Sequence, residues 1–335
     1  MTFTKGPVEE IVIINYSPET GLTSKQLTKF DSMLEKVKSK TSDCTGLVGD
    51  DFGVCFTNSY SREIIKADSA MLTVKTYRDV MAEKLRNYTC EDTAMQTSTP
   101  VRTANFTYGG LSYKTDILLE LPHAKIWTVS GFISEEHCNI LEEHGRSRLH
   151  TATVAGIDGK AMVSQHRKAQ QAAYEPISSD PNDPLVPLRD MMLAITNIIG
   201  GYNLTPAGQE HLTIIQYNKD DEYTRHCDGS CDGTAHRPGG RVASALLYCQ
   251  VADVGGGTTF TKANVFVKPT RGMATFFSYK GPDGMMDDGF TEHSGCKVIE
   301  GQKWITTYWM RDGVTTERPW FRYDPSGVAT DYSKV

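Results

Sequence analysis
Apolar positions along this chain follow two periods, helical and strand-like, and a polar run separates a mixed first region from a second one. Near the start, Ile11 to Ile14 reads as a buried strand, and Leu27, Phe30, Leu34 and Val37 recur at helical spacing behind Thr23 or Ser24 as cap. Phe52 to Phe56 alternates as a strand does, and Tyr77 to Tyr88 returns to helical spacing, so this stretch predicts a smaller mixed α/β region. The polar run from Thr89 to Thr103 then predicts a linker or exposed loop, and we set the boundary between residues 125 and 126. Beyond it the pattern predicts a helix from Ser134 to Leu149. A second helix has Asp183 as cap, Pro184 at its first position, Gly200 or Gly201 as its stop, and an apolar stripe of Leu185, Leu188, Met192, Ile195 and Ile199. After that helix, short strand-like runs separated by Gly, Pro and Asp dominate. The succession predicts an α+β chain whose residues 126–335 form a two-sheet jelly roll, a double-stranded β-helix, with helices supporting one face.

Candidate chemistry concentrates in two of those late runs, RHCDGSCDG from Arg225 to Gly233 and TEHSGCKVIEGQKW from Thr291 to Trp304. Side chains two apart in a strand share a face, so His226 and Asp228 can hold one ion while Cys227 turns away. His293 supplies a third ligand from another strand. Two imidazoles and one carboxylate leave metal positions open for substrate and oxygen, the arrangement of non-haem iron(II) oxygenases. Lys303, ten residues after His293, adds a cation for an organic carboxylate. Asp228, Ser230, Asp232 and Gly233 mimic the first half of a calcium loop, but Gly239 stands where a bidentate Glu is required. His226, Cys227, Cys231 and His236 offer a zinc alternative without a second paired-cysteine knuckle.

The surroundings of these residues carry a resemblance. IIQYNKDDEYTRHCD places Tyr217 and Tyr223 six apart, RVASALLY places Arg241 seven before Tyr248, and GGGTTF, VKPTRGMATFF and H-x9-K with Trp304 and Trp309 follow in order. From His211 to Asp312 the chain resembles the catalytic domain of prolyl 4-hydroxylases, Fe(II)- and 2-oxoglutarate-dependent dioxygenases, with a weaker start at GFISEEHCNILEEH from Gly131. The resemblance implies iron ligation by His226, Asp228 and His293, and 2-oxoglutarate binding by Lys303, Tyr248 and Tyr217. It also implies a peptide side formed by Tyr223 and Arg241. Arg311 stands where many members carry a substrate-side histidine, and is assigned to that side. The implied reaction couples decarboxylation of 2-oxoglutarate by O2, giving succinate and CO2, to hydroxylation of a peptidyl substrate, proline to 4-hydroxyproline, with ascorbate as reductant. A dioxygenase for another side chain or a small molecule, or a non-catalytic metal-binding module, is the alternative. GSCDGTAHRPGG, beside the site, predicts a flexible lid.

Composition narrows the setting. A formal charge of −6 argues against a nucleic-acid partner, and no apolar run approaches a membrane span. Eight cysteines are scattered without a framework spacing, a density ordinary for a reduced protein, with disulfides possible but not implied. The start lacks the pattern of a signal peptide, so a cytoplasmic location is expected ahead of the endoplasmic reticulum. Asn15, Asn87, Asn105 and Asn203 open N-x-S/T sequons, which remain unused outside the secretory route.

Overall fold
The computed structural model describes Arg86 and residues 89–155, 161–163 and 167–330, together with four short strands before them: β1 (Thr2–Lys5), β2 (Val8–Ile11), β3 (Ile13–Asn15) and β4 (Thr73–Lys75). β1 pairs with β2 and β3 with β4, so the strand expected at Ile11–Ile14 is divided between two small sheets. The helix expected over 23–40 and the strand over 52–56 lie outside the described residues, as does the helix expected over 77–88 apart from Arg86. The chain separates into two compact units, Met1–Asn87 and Tyr88–Val335.

The second unit is built on a nine-stranded antiparallel sheet. Its strands are β5 (Arg102–Tyr108), β6 (Leu111–Glu120), β7 (Lys125–Val129), β8 (His150–Thr151), β11 (Gln170–Tyr174), β12 (Leu212–Tyr217), β14 (Arg241–Gln250), β18 (Ala274–Ser278) and β21 (Lys303–Arg311), in the order β5-β6-β7-β18-β14-β21-β12-β11-β8. Between β8 and β11 the hairpin β9 (Thr153–Ala155) and β10 (Ala161–Val163) intervenes. A four-stranded sheet faces the large one: β13 (Tyr223–His226), β19 (His293–Gly295), β16 (Thr258–Phe260) and β17 (Val265–Val267), in the order β13-β19-β16-β17. A last pair joins β15 (Val254–Gly255) to β20 (Val298–Glu300). The expected double-stranded β-helix is therefore present, and α+β describes it.

Two-residue alternation explains why one sheet can serve two cores. Along β14, Ala243, Ala245, Leu247 and Cys249 turn to a helical layer, while Leu246 and Tyr248 turn to the small sheet. β21 repeats the split, with Trp304, Tyr308 and Met310 on the helical side and Ile305 on the other. The helical layer is α1 (Glu135–Arg146) and α2 (Leu185–Gly200). Ser134 caps α1 by accepting the His137 amide at 3.1 Å, and Glu135 and Glu136 in its first turn suit the helix dipole. At Gly145 a Cβ would lie 3.1 Å from both Ile214 and Trp304, so a glycine lets α1 settle on β12 and β21. Asp183 starts α2 by accepting the Leu185 amide at 2.9 Å, and Gly201 ends it with φ 77°.

Three features differ from the sequence reading. A boundary at 125 would divide β6 from β7, which pair from Thr115↔Val129 to Glu120↔Lys125; only Arg102 and Thr103 of β5 fall in the run expected as a linker, and mostly polar outward positions left the rest of β5 and β6 without a strand signal. The six cysteines of the described residues are paired, where the sequence left disulfides possible but not implied. Cys90–Cys296 ties the segment before β5 to the turn after β19, Cys138–Cys249 ties α1 to β14, and Cys227–Cys231 closes the turn after β13. Spacing could not announce this, because the first two bridges join segments 206 and 111 residues apart. The expected flexible lid, 229–240, is held by backbone hydrogen bonds on both flanks, with Gly233 donating to Asp287, His236 to Gly284 and Gly239 to Asp312. No helix among the described residues is long and apolar enough to cross a membrane.

Candidate functional site
The antiparallel pairing of β13 with β19 sets His226 directly opposite His293. Asp228 follows just past the end of β13, and Cys227 between them turns away into its disulfide. His226 Nδ1 lies 2.8 Å from the Thr224 carbonyl and His293 Nδ1 lies 3.0 Å from that of Thr291. A carbonyl accepts only, so each Nδ1 carries the proton and each Nε2 presents a lone pair inward. Those nitrogens lie 3.5 Å and 3.9 Å from the two Asp228 oxygens, and the three ligand atoms fall within 4.8 Å of one another.

The surroundings orient this cluster. Ser244 Oγ donates to Asp228 Oδ2 at 2.7 Å and lies 3.2 Å from the Tyr279 hydroxyl; Arg241 Nη1 donates to the Asp228 carbonyl at 3.1 Å. Burial opposes ionisation of Asp228. His293, His226 and Arg241 outweigh it and hold the carboxyl well below the usual range. Burial, with the neighbouring His226, pushes the His293 imidazole down to about 4, so it stands neutral, as ligation requires. Two imidazole nitrogens and one carboxylate on one side of a point fit iron(II) with positions left open.

Across the cleft stands Lys303, 3% exposed at the start of β21, opposite Tyr217 on β12. Its Nζ donates to the Gly256 carbonyl at 2.7 Å, 5.6 Å from the ring centres of both Tyr217 and Tyr248, and no carboxylate among the described residues pairs with it. Burial alone pushes its pKa down to about 8. An ammonium buried without an anion is costly, and an organic dianion bridging it to the metal cluster would remove the cost, so the residues present fit 2-oxoglutarate as well as iron. Thr258 lines the cleft with its hydroxyl 3.3 Å from that of Tyr248, which also donates to Thr275 Oγ1 at 3.1 Å. Tyr248 thus meets the cleft only through the Thr258 hydroxyl, whereas Tyr217 lines it directly.

On the open side, Tyr223 stacks on His226 with ring centres 3.4 Å apart, and Trp309 forms the adjoining wall. Arg167, not singled out from the sequence, also lines the cleft. It is 4% exposed, its guanidinium lies 5.1 Å from the Tyr223 ring and 6.0 Å from that of Trp309, and its Nε and Nη2 have no hydrogen-bond acceptor. No motif in the sequence marks it, so only the fold reveals this cation. Ser244 and Thr258 were legible in principle, as hydroxyls on buried strand positions beside apolar ones.

The two arginines assigned to the substrate side are placed differently. Arg241 stacks beneath Trp309 at 4.0 Å and forms a bidentate pair with Glu210 at 2.6 and 2.7 Å, so it supports the wall without lining the cleft. Arg311 is 2% exposed and outside the cleft. It donates to Glu210 at 2.5 Å and to the carbonyls of Gly239 and Asp324 at 2.6 and 2.8 Å. Strand alternation puts it on the same face as Lys303, but the segment 323–327 closes over that end, and a buried guanidinium must find acceptors there.

Comparison with known proteins agrees with this geometry. Residues 212–311 match the model of the 2OG-Fe(II) oxygenase superfamily. Prolyl 4-hydroxylase 1 of Arabidopsis thaliana is 28% identical over 207 residues, 57% of this chain and 70% of that protein. The human prolyl 4-hydroxylase subunit alpha-3 is 27% identical over 195 residues, 56% of this chain and 34% of the subunit, so the match spans about a third of that relative. Among solved structures, the viral collagen prolyl hydroxylase of Paramecium Bursaria Chlorella virus-1 in its 2OG complex aligns at 20% identity with a TM-score of 0.43, covering 56% of this chain and 96% of that one. Residues 212–311 are thus similar to the 2OG-Fe(II) oxygenase superfamily, and a longer stretch of the chain is similar to prolyl 4-hydroxylases.

Proposed function
We propose that this chain is an Fe(II)- and 2-oxoglutarate-dependent hydroxylase of a peptidyl substrate, with proline as the target residue. The observation that carries the reading is Lys303, a buried cation with no anion among the described residues, across the cleft from His226, Asp228 and His293. His226, Asp228 and His293 would hold the iron, and Lys303 would hold the distal carboxylate of 2-oxoglutarate beside Tyr217 and Thr258. Together iron and 2-oxoglutarate supply an oxidant made from O2 with release of succinate and CO2. The protein's part is orientation. Thr224 and Thr291 fix the imidazole tautomers, Ser244 fixes the Asp228 carboxylate, and Ile215, Leu246 and Ile305 keep the floor of the cleft dry. Neither Lys303 nor any ligand needs to move a proton for C–H hydroxylation.

Support for a peptide comes from the open side. Tyr223 and Trp309 offer flat aromatic walls to a pyrrolidine ring, and the unpaired nitrogens of Arg167 offer donors to peptide carbonyls. Extended proline-rich segments lose little entropy on entering such a groove. Relatives named prolyl 4-hydroxylases support the same target. The test is a panel of proline-rich peptides incubated with the purified chain, Fe(II), 2-oxoglutarate and ascorbate. Succinate release coupled to one added oxygen on proline is expected; no peptide product together with efficient hydroxylation of a small molecule would overturn it.

A further inference from the structure
The exposed edge of the large sheet carries a chemistry that the hydroxylase reading does not use. Asn105-Phe106-Thr107 is a sequon lying within β5, the outermost strand. Alternation turns Phe106, 5% exposed, into the core against Tyr113 and turns Asn105 and Thr107 outward, both exposed. Across the ladder Asn105 faces Lys114 and Thr107 faces Ser112, both exposed, and Thr103 and Asp116 extend the same polar face. No strand among the described residues pairs with the outer edge of β5. A long unprotected edge invites pairing with another chain, and a bulky hydrated group beside it would block that.

The second observation is independent of the sequon. Every cysteine of the described residues is in a disulfide, and two of the three bridges join distant segments across buried positions, Cys138 at 1%, Cys249 at 2% and Cys296 at 4% exposure. Such bridges form and persist in oxidising compartments, the same ones in which sequons are read. We propose that the chain folds in the secretory route and carries an asparagine-linked oligosaccharide on Asn105. The transfer forms a bond from the Asn105 amide nitrogen to the anomeric carbon of a lipid diphosphate-linked oligosaccharide. The amide loses one proton and the lipid diphosphate leaves, with no change of oxidation state.

Geometry separates this site from the cleft. β5 is five strands from β21, roughly 24 Å at the usual spacing of about 4.8 Å between strands, so a glycan there leaves the Lys303 end accessible. Asn203, also exposed, is the weaker acceptor: Pro206 follows its sequon and restricts Thr205, and Leu204 is anchored through both backbone groups by Asn197. The side chains of Asn15 and Asn87 lie outside the described residues.

The experiment makes the full 335-residue chain in one eukaryotic host by two routes, behind a cleavable secretory leader and in the cytosol. Enzymatic glycan removal in heavy-oxygen water should leave a labelled aspartate at position 105 of the secreted chain. Asn105→Gln and Thr107→Ala should lose the label and the matching gel shift, while Thr107→Ser keeps both. The KM for 2-oxoglutarate should be unchanged in Asn105→Gln. An unmodified Asn105 in secreted chain whose Cys138–Cys249 bridge has formed would overturn the proposal. So would modification at Asn203 alone, or a chain that folds and turns over 2-oxoglutarate only from the cytosol, with free thiols.

Discussion
Lys303 costs the empty fold stability and repays it on binding. Its pKa lies near 8 because burial strips its hydration and only one carbonyl replaces it. Lys303→Met should therefore leave the protein as stable or up to about 3 kcal/mol more stable in chemical denaturation, while 2-oxoglutarate-dependent succinate formation disappears. A marked loss of stability instead would make the lysine structural. The same residue sets a pH dependence. Below pH 8 the free site is mostly ammonium and takes the carboxylate directly; above it, binding must first capture a proton. Affinity for 2-oxoglutarate, followed by titration calorimetry, should fall by up to about tenfold per pH unit above pH 8 and stay level between pH 6 and 7. Arg311 offers the opposite case. It shares Glu210 with Arg241 in a buried cluster, so Arg311→Leu should cost about 3–5 kcal/mol of stability through the uncompensated groups it leaves, with the KM for 2-oxoglutarate little changed in whatever folds.

At the scale of elements, the short strand β19 bears the greatest demand, for it carries His293 and leads within one residue into Cys296. The Cys296 amide donates to the Gly257 carbonyl, and the neighbouring Gly256 carbonyl receives Lys303. The Cys90–Cys296 bridge thus holds the turn that borders both the metal cluster and the carboxylate end. Cys90→Ser should lower stability by about 2–5 kcal/mol in thermal or denaturant melts, and should raise the KM for 2-oxoglutarate several-fold. Cys138–Cys249 lies on the helical side of β14 and provides the control: its loss should destabilise without moving that KM.

For the whole molecule, the division at residue 87 predicts where the chain can be cut. A chain beginning at Tyr88 keeps Cys90, β5 and β6, and should melt cooperatively and turn over 2-oxoglutarate. One beginning at 126 exposes the edge of β7, removes Ile117 and Leu118 from the two cores, and should aggregate or fail to fold, which light scattering and circular dichroism would show. The sequence by itself was enough to expect the two helices and the jelly roll, which rest on helical spacing and local alternation, and to single out His226, Asp228, His293 and Lys303, which rest on a spaced series of motifs that resembles a known family. Only the tertiary structure decided the rest. Arg167 enters the cleft, Arg311 is withdrawn from it, 229–240 is held, β5 and β6 join the large sheet, and Cys90 meets Cys296. Each of these depends on which distant segments come to share a buried space, where an unpaired charge or backbone group must find a partner, and sequence spacing holds no record of that choice.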